Sequence, residues 1–454
     1  MKSAIVVLCL FTALSVKGQT GTLPVLYLTT QNKRPIISKA TYLPGTYYLV
    51  DGQDSNRNLG SAESPLSLEI RGRGHSSWNG AKKPYKLRLS EKKSPLGMSA
   101  HKHWALLKFN EPTVAGLELG RIMGMDWTAS TQPVEVVLNG DYIGLYLLTE
   151  TNRIGKNRLN IWEQPDGNED EETIPYGWLV EVDNYLETNQ ITIQENSNWK
   201  MRITHHSPES LSPAQQEWLI SEFTALNAAI YAEDKSHSTW EELLDVDAMA
   251  RYFIIQEVMD NTDGFHGSFY LHKDQAVDAR WVAGPLWDLS SGQRTKTDYT
   301  FRMKTSYAFT PHWIGELIKD EDFCCAVKSA WETFYPSDIQ SWMESIDKQL
   351  LPCSAAFEAD KKRWPYSNTA PLPSRLQQLK TALLANVEWF RDHLPVGETP
   401  SGYPSDHVHH TIAKVEYINP QGLTNSHPWK GINLRVTTYD DGTTETTKVV
   451  QNSR

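Results

Sequence analysis

Apolar and polar residues alternate through Tyr85-Lys-Leu-Arg-Leu89, which places Tyr85, Leu87 and Leu89 on one face of a strand. Short strand patterns precede it at Val25–Leu28 and Tyr47–Val50, separated by Pro and Gly. Val134–Leu138 and Tyr142–Leu148 flank Asn139-Gly140, a pair suited to the positive φ angles of a tight turn, so a hairpin is predicted there. Trp178–Val182 and Phe269–His272 read as further strands. The period then changes. Val114–Met123 has helical spacing and stops at Gly124. Ser212-Pro-Ala-Gln215 combines an N-cap, a first-turn Pro and a capping-box Gln, opening a helix with Leu219, Phe223, Leu226 and Ile230 on one stripe. Asp247 is a candidate cap for a helix through Met259, and Leu376 to Leu394 line a late amphipathic helix.

The first half is therefore β-rich and the second helical, an α+β pattern split as in two lobes. From Pro395 the chain loosens into a Pro- and His-containing linker, and a short β tail follows in which Asp441-Gly442 joins two Thr- and Val-rich strands. No repeat is visible. The expected divisions are a leader at 1–18, a main domain at 19–395, a linker at 396–413 and a tail at 414–454.

The leader reading rests on Lys2, the short apolar run Ala4 to Val16, and small residues before Gln19. It implies export to the periplasm, the cell surface or the exterior. No stretch approaches the ~20 apolar residues that a helical membrane span needs. A net charge of -11 argues against nucleic acid or an anionic membrane as the main partner, although a nucleotide needs only a few local cations. Beyond Cys9 in the leader, Cys324, Cys325 and Cys353 are too few for a disulfide scaffold, though Cys353 could bridge to one of the adjacent pair.

Three segments carry candidate chemistry. Arg71-Gly-Arg-Gly-His-Ser-Ser77 offers glycines that let backbone amides approach an anion, with arginines to add charge. Lys82, Lys83 and Lys86 follow it, either as phosphate contacts or as a solvated strand edge. Asp260-Asn-Thr-Asp-Gly264 comes directly after a helix, and in Gly284-Pro-Leu-Trp-Asp288 the Asp lies 25 residues beyond Asp263 (288 − 263 = 25), with a strand between. Loop carboxylates in such a hairpin-like arrangement suit two tasks, orienting a hydroxyl and holding Mg²⁺ against phosphate oxygens. Other features read more plainly: Asp166 to Glu172 as a solvated acidic loop, and His101, His103, His407, His409 and His410 as surface histidines. The common Gly-x-Ser-x-Gly and His-Glu-x-x-His signatures are absent.

In order along the chain, Ile70 to Trp78, Lys82 to Leu89, Trp104 to Leu107, Val137 to Tyr146 with Glu150, and Gly284 to Asp288 resemble the CotH (spore coat protein H) kinase family. The likeness runs from about Leu23 to Leu394. It implies an atypical, two-lobed protein-kinase-like fold that uses ATP with Mg²⁺ or Mn²⁺ to phosphorylate a hydroxyl on an exported or surface protein. By the same resemblance Lys83 is the phosphate-contacting lysine, with Lys86 as second choice, and Glu118 is its pairing carboxylate. Asp263 is the catalytic carboxylate, and Asp288 with Ser268 would hold metal. Arg71, Gly72, Arg73, Gly74, Ser76 and Ser77 would cradle phosphates, with Glu150 beside the adenine.

Three positions depart from the family pattern. The helix from Val114 lacks an opening Arg-Asn, Ser268 stands where Asn is usual, and Ser290 replaces a second acidic residue. These favour a rival reading, a catalytically weak pseudokinase serving as a surface binding or adhesion protein. Carbohydrate binding has only the abundant Trp behind it. The tail's Lys430 and Asp441-Gly442 resemble C-terminal segments of exported Gram-negative proteins, used for sorting or attachment; a plain added hairpin is the alternative.

Overall fold

The computed structural model describes residues 23–233, 239–276, 279–290, 299–303, 311–397, 412–420, 423–425, 431–439 and 444–451. The expected leader, residues 398–411 of the linker, Lys430 and Asp441-Gly442 lie outside them. The chain divides into a unit ending at Glu398 and a second unit, Thr399–Arg454.

In the first unit seven strands form a closed barrel: β1 (Val25–Thr30), β2 (Leu43–Val50), β3 (Leu66–Gly72), β4 (Tyr85–Lys93), β5 (His101–Lys108), β6 (Thr131–Leu138) and β7 (Asp141–Glu150), in the order β1-β2-β3-β4-β5-β7-β6. Closure comes from β1 lying parallel to β6, with Leu26 opposite Val136; the other pairs are antiparallel. Alternation fills the interior. Leu26, Leu28, Leu68, Ile70, Leu87, Leu89, Trp104, Val134 and Tyr146 are all buried in one cluster. Asn139 and Gly140 take φ of 57° and 94° in the β6–β7 turn, as the Asn-Gly pair requires.

The two-lobed kinase-like expectation is overturned here. The N-terminal half is a sheet closed on itself, with mixed strand directions, and a helical part follows it. Between them lies a second, five-stranded sheet in the order β12-β11-β8-β10-β9, comprising β8 (Trp178–Val182), β9 (Gln190–Gln194), β10 (Lys200–Ser207), β11 (Phe269–Lys273) and β12 (Val282–Ala283).

Helices α1 (Ser76–Asn79) and α2 (Glu111–Ile122) interrupt the barrel strands. Then come α3 (Pro213–Ile230), α4 (Trp240–Leu243), α5 (Val246–Met259), α6 (Ile314–Leu317), α7 (Glu321–Phe334), α8 (Ile339–Leu350), α9 (Ser354–Arg363) and α10 (Leu372–Asp392). The Ser212–Gln215 capping box is formed in full at α3. Helix α5 is capped by Asp245, which accepts from the amide of Ala248, rather than by Asp247. One core joins α2, α3, α5, α7, α8 and α10 to the inner face of the second sheet through Trp178, Val180, Val182, Phe223, Phe253 and Trp342.

Two ties fasten the helical part to the barrel. Lys82 Nζ lies 2.8 Å from Asp360 of α9, and Trp364 Nε1 donates to the carbonyl of Ile143. Cys324, Cys325 and Cys353 are free thiols, so no bridge from Cys353 forms. In the second unit, β13 (Ile412–Ile418), β14 (Thr424–Asn425), β15 (Gly431–Tyr439) and β16 (Thr444–Gln451) make a four-stranded antiparallel sheet. Among the described residues no helix is long and apolar enough to cross a membrane.

Candidate active site

The end of β3, the start of β4, the stretch after β7, the outer face of the second sheet and two loops enclose a cleft of about 800 Å³. Its walls differ in charge. Arg71, Arg73, Lys86 and Arg153 line it from the barrel and the stretch after β7, while Glu181, Asp183, Asp263 and Asp288 line it from the sheet and its loops.

The sheet supplies its carboxylates by simple alternation. Leu179, Glu181 and Asp183 share one face of β8 and its end, while Val180 and Val182 enter the core. Register places Tyr270 opposite Glu181. His206 Nε2 lies 2.7 Å from Glu181 Oε2, and its ring stacks on Tyr270 at 5.2 Å. Burial pushes the Tyr270 phenol well up, and the hydrogen bond to Glu181 adds to that.

The Asp263 loop leaves α5 through Asp260, whose φ of 53° ends the helix. Two contacts hold the loop down: Tyr252 Oη donates to Gly264 O at 2.6 Å, and the amide of His312 donates to Phe265 O. Gly264 has no room for a side chain, since a Cβ there would fall 2.5 Å from Gln256. Asp263 itself is about half exposed, and His266 Nε2 lies 3.3 Å from it.

The Asp288 loop rests on α2. A Cβ at Gly116 would lie 2.6 Å from Leu289 Cδ1, and one at Gly120 would lie 2.3 Å from Leu286 Cδ1, so these two glycines let the loop seat against the helix. Asn152 Nδ2 reaches Pro285 O from the barrel side at 3.5 Å. Ser290 Oγ donates to Asn261 at 2.8 Å and is thereby committed to holding the two loops together. Asp288 adopts φ of 49° and opens to the cleft. Crowding by protein around it still raises its carboxyl; Arg73 acts against that rise, while Asp263 and Glu181 reinforce it.

The cations are strained by their setting as well. Burial lowers the Arg73 guanidinium, opposed by Asp288, Tyr270 and Glu181, and the guanidinium lies over the Trp287 ring at 5.3 Å. Lys86 is held down to about 8, first by burial and then by Arg153, Arg71 and Arg73. Burial, followed by Glu181, pushes Asp183 up to about 6. Like charges are thus crowded on each wall, and an anion on one side with a cation on the other relieves both.

A family model described as CotH kinase protein matches residues 69–394. The chain belongs to the CotH kinase protein family. No curated protein matches it. The kinase description of CotH proteins implies, in general terms, a nucleotide and a divalent metal.

The residues present fit both groups. Four cations face a set of oxygen donors, and buried polar atoms of three lining residues, Arg71 Nε, Thr151 Oγ1 and Asn152 Oδ1, have no hydrogen-bond partner among the described residues. Mg²⁺ commonly takes one or two carboxylates and completes its shell with water and phosphate oxygens, so no protein cage is required. Consistent with this, the one carboxylate group among the described residues with oxygens all within 4.8 Å is Glu241, Asp320 and Asp322, which do not line the cleft.

Of the residues singled out in the CotH resemblance, the cleft gathers Arg71, Arg73, Gly74, Ser76, Ser77, Lys86, Asp263, Ser268 and Asp288. It does not gather Lys83, Glu118, Glu150 or Gly72. Lys83 Nζ donates to Trp78 O at 2.5 Å and sits over the Trp78 ring. Glu118 faces Arg121 at 2.8 Å and Gln349 at 3.5 Å, so the expected Lys83–Glu118 pair does not form. Glu150 is buried against Arg158 at 2.9 Å and accepts from the amide of Ser130; burial raises the acid and lowers the guanidinium. Gly72 is strand backbone packed under Trp78. Lys82 is neither a phosphate contact nor a solvated edge but the buried partner of Asp360.

Glu181, Asp183, Tyr270, His206 and Arg153 were missed in the sequence reading. The signal for the first two was present: carboxylates at alternate positions of the otherwise apolar Trp178-Leu-Val-Glu-Val-Asp183.

Proposed function

We propose that this CotH protein is an exported phosphotransferase that moves the γ-phosphate of ATP, with Mg²⁺ or Mn²⁺, to a hydroxyl on an exported or surface protein. The carrying observation is that Arg71, Arg73, Lys86 and Arg153 share one cleft with Asp263 and Asp288. A triphosphate with its metal is the ligand for which cations on one wall and carboxylates on the other are jointly needed.

Arg71, Arg73 and Lys86 bind phosphate oxygens, with Arg73 as the inner cation because it lies over Trp287 and Asp288 is the charge that acts on it most strongly. Asp288 holds the metal when it is bound; that ion neutralises charge developing on the transferred group. Asp263, about half exposed and beside His266, orients the acceptor hydroxyl and takes its proton. Positioning and charge neutralisation do most of the work in such a transfer, so the chain needs no covalent intermediate of its own.

The test is thermal stabilisation by ATP with and without Mg²⁺ or Mn²⁺, in wild type and Asp288→Ala, alongside transfer of labelled γ-phosphate to the protein itself and to co-exported proteins. Metal-dependent stabilisation that Asp288→Ala abolishes, together with labelled product, is expected. Identical melting under every condition would remove the nucleotide reading. Stabilisation without transfer favours the second reading, a nucleotide-binding pseudokinase used for surface adhesion, which Ser268 and the structurally committed Ser290 support.

A further inference from the structure

The antiparallel register of β8 and β11 pairs Glu181 with Tyr270 and Val182 with Phe269. One step further along both strands, Asp183 comes to the place across from Ser268. The side chain crosses that gap: a Cβ at Gly267 would lie 3.9 Å from Asp183 Oδ1. Glycine at 267 leaves this space open.

Asp183 is nine-tenths buried, lines the cleft, and accepts a hydrogen bond from the amide of Tyr185 at 3.2 Å. Among the described residues no Lys, Arg or His pairs with it, whereas the buried acids Glu111, Glu150, Glu195 and Asp360 each have a basic partner. A carboxylate that is buried without a counter-charge is expensive to keep, and a bound cation is the ordinary resolution.

We propose that Asp183 is a metal ligand of this cleft, supplying from β8 the oxygen donor that Ser268 is too short to supply from its own loop. The inference rests on the phosphotransferase reading above and adds a residue to its divalent-cation site. The ion held there would sit between Asp183 and the Asp263–Ser268 loop, with nucleotide phosphate and water completing its shell. The backbone at Ser268 has φ of 53°, a conformation Asn adopts readily, so Ser268→Asn can be built without distorting the loop.

The experiment measures Mn²⁺ binding by electron paramagnetic resonance and by thermal shift, with and without ATP, for wild type, Asp183→Asn, Ser268→Asn and the double variant. Asp183→Asn should weaken Mn²⁺ by at least about tenfold, the scale on which loss of supporting groups acts. In metal-free buffer the same variant should melt no lower than wild type, because an unpaired buried charge has been removed. Ser268→Asn should tighten Mn²⁺, and in the double variant it should restore much of the loss. Were Asp183→Asn not to fold, Ser268→Asn alone decides, since unchanged Mn²⁺ affinity there refutes a vacancy at 268. If ATP–Mn²⁺ binds wild type and Asp183→Asn alike, the assignment of Asp183 is wrong and the phosphotransferase reading stands. If wild type shows no ATP–Mn²⁺ response, both fall together.

Discussion

Lys82 and Asp360 stand 278 positions apart in sequence, and their charged groups meet at 2.8 Å with almost no exposure. The pair joins the start of β4 to α9. Asp360 also accepts from the amide of Leu145 and from Tyr366, and the Lys82 ammonium lies 4.6 Å from the Tyr146 ring centre. Burial holds the ammonium down to about 8 even against the attraction of Asp360.

Breaking one half of such a pair strands the other charge in the interior. Asp360→Asn should therefore lower stability by about 3–5 kcal/mol, read by denaturant unfolding. Lys82→Met/Asp360→Asn should lose clearly less than the sum of the two single changes. A strictly additive result would show that the pair contributes nothing beyond its separate contacts.

Lys86 gives the cleft a pH signature. Its folded value, about 8, lies below the ordinary lysine value because burial and three arginines penalise the charged form. The penalty on folding is present below pH 8 and is relieved as pH rises from there toward the unfolded value near 10.5. The proposed phosphate binding would behave oppositely, since it uses the ammonium. ATP affinity should fall as pH climbs through 8, and Lys86→Arg should flatten that fall. Calorimetric titration from pH 7 to 9.5 on both proteins checks the direction.

Lys83 and Lys86 separate two accounts of the site. Lys86→Met should weaken ATP by about tenfold or more, the loss expected for one charge-assisted contact. Lys83→Met should leave ATP affinity near the wild-type value, because its ammonium is spent on Trp78 O. The reverse order in a binding assay would mean the turn after β3 refolds around the nucleotide.

Asp263→Asn should reduce transfer by about 10²–10⁴-fold, the usual contribution of a positioned base. Thermal stabilisation by ATP and Mg²⁺ should persist, because the proposed role of Asp263 is to orient the acceptor rather than to hold the bound phosphate. Loss of both together would reassign Asp263 to the metal.

Gly116 lets the Asp288 loop lie against α2, and an added Cβ would come 2.6 Å from Leu289 Cδ1 and 3.1 Å from its Cβ. Gly116→Ala gains about 1 kcal/mol of helix propensity and meets overpacking of about 1–3 kcal/mol. The melting temperature should thus change little, while the Mg²⁺-dependent part of ATP stabilisation drops with the displaced loop. Comparing the two shifts in one melting experiment distinguishes this from general destabilisation.

Much of the local structure was legible, because local signals are chemically explicit. Asn139-Gly140 demanded a hairpin, Ser212 with Gln215 demanded a capped helix, and the Asp263 and Asp288 segments announced loops by their Gly and Pro. Barrel closure was not legible, since the parallel match of Leu26 with Val136 involves residues 136 − 26 = 110 positions apart and no periodicity reports it. That Lys86 and not Lys83 lines the cleft was hidden for a related reason. Lys86 lies within β4, where alternation turns it away from Tyr85 and Leu87, while Lys83 precedes the strand and curls back to Trp78. Glu181 and Asp183 show a signal passed over, two acids on one face of a buried strand.

The pairing of β1 with β6 also governs how the nascent chain is handled. Strand β1 leaves the ribosome with β2 soon behind it, yet its second neighbour, β6, comes only after β3, β4, β5 and α2 have been made. Until then one flank of the sheet has open amides and carbonyls that invite intermolecular pairing. A truncation reaching into Val25–Thr30 would make that transient opening permanent along β6, and such products should precipitate rather than merely melt early.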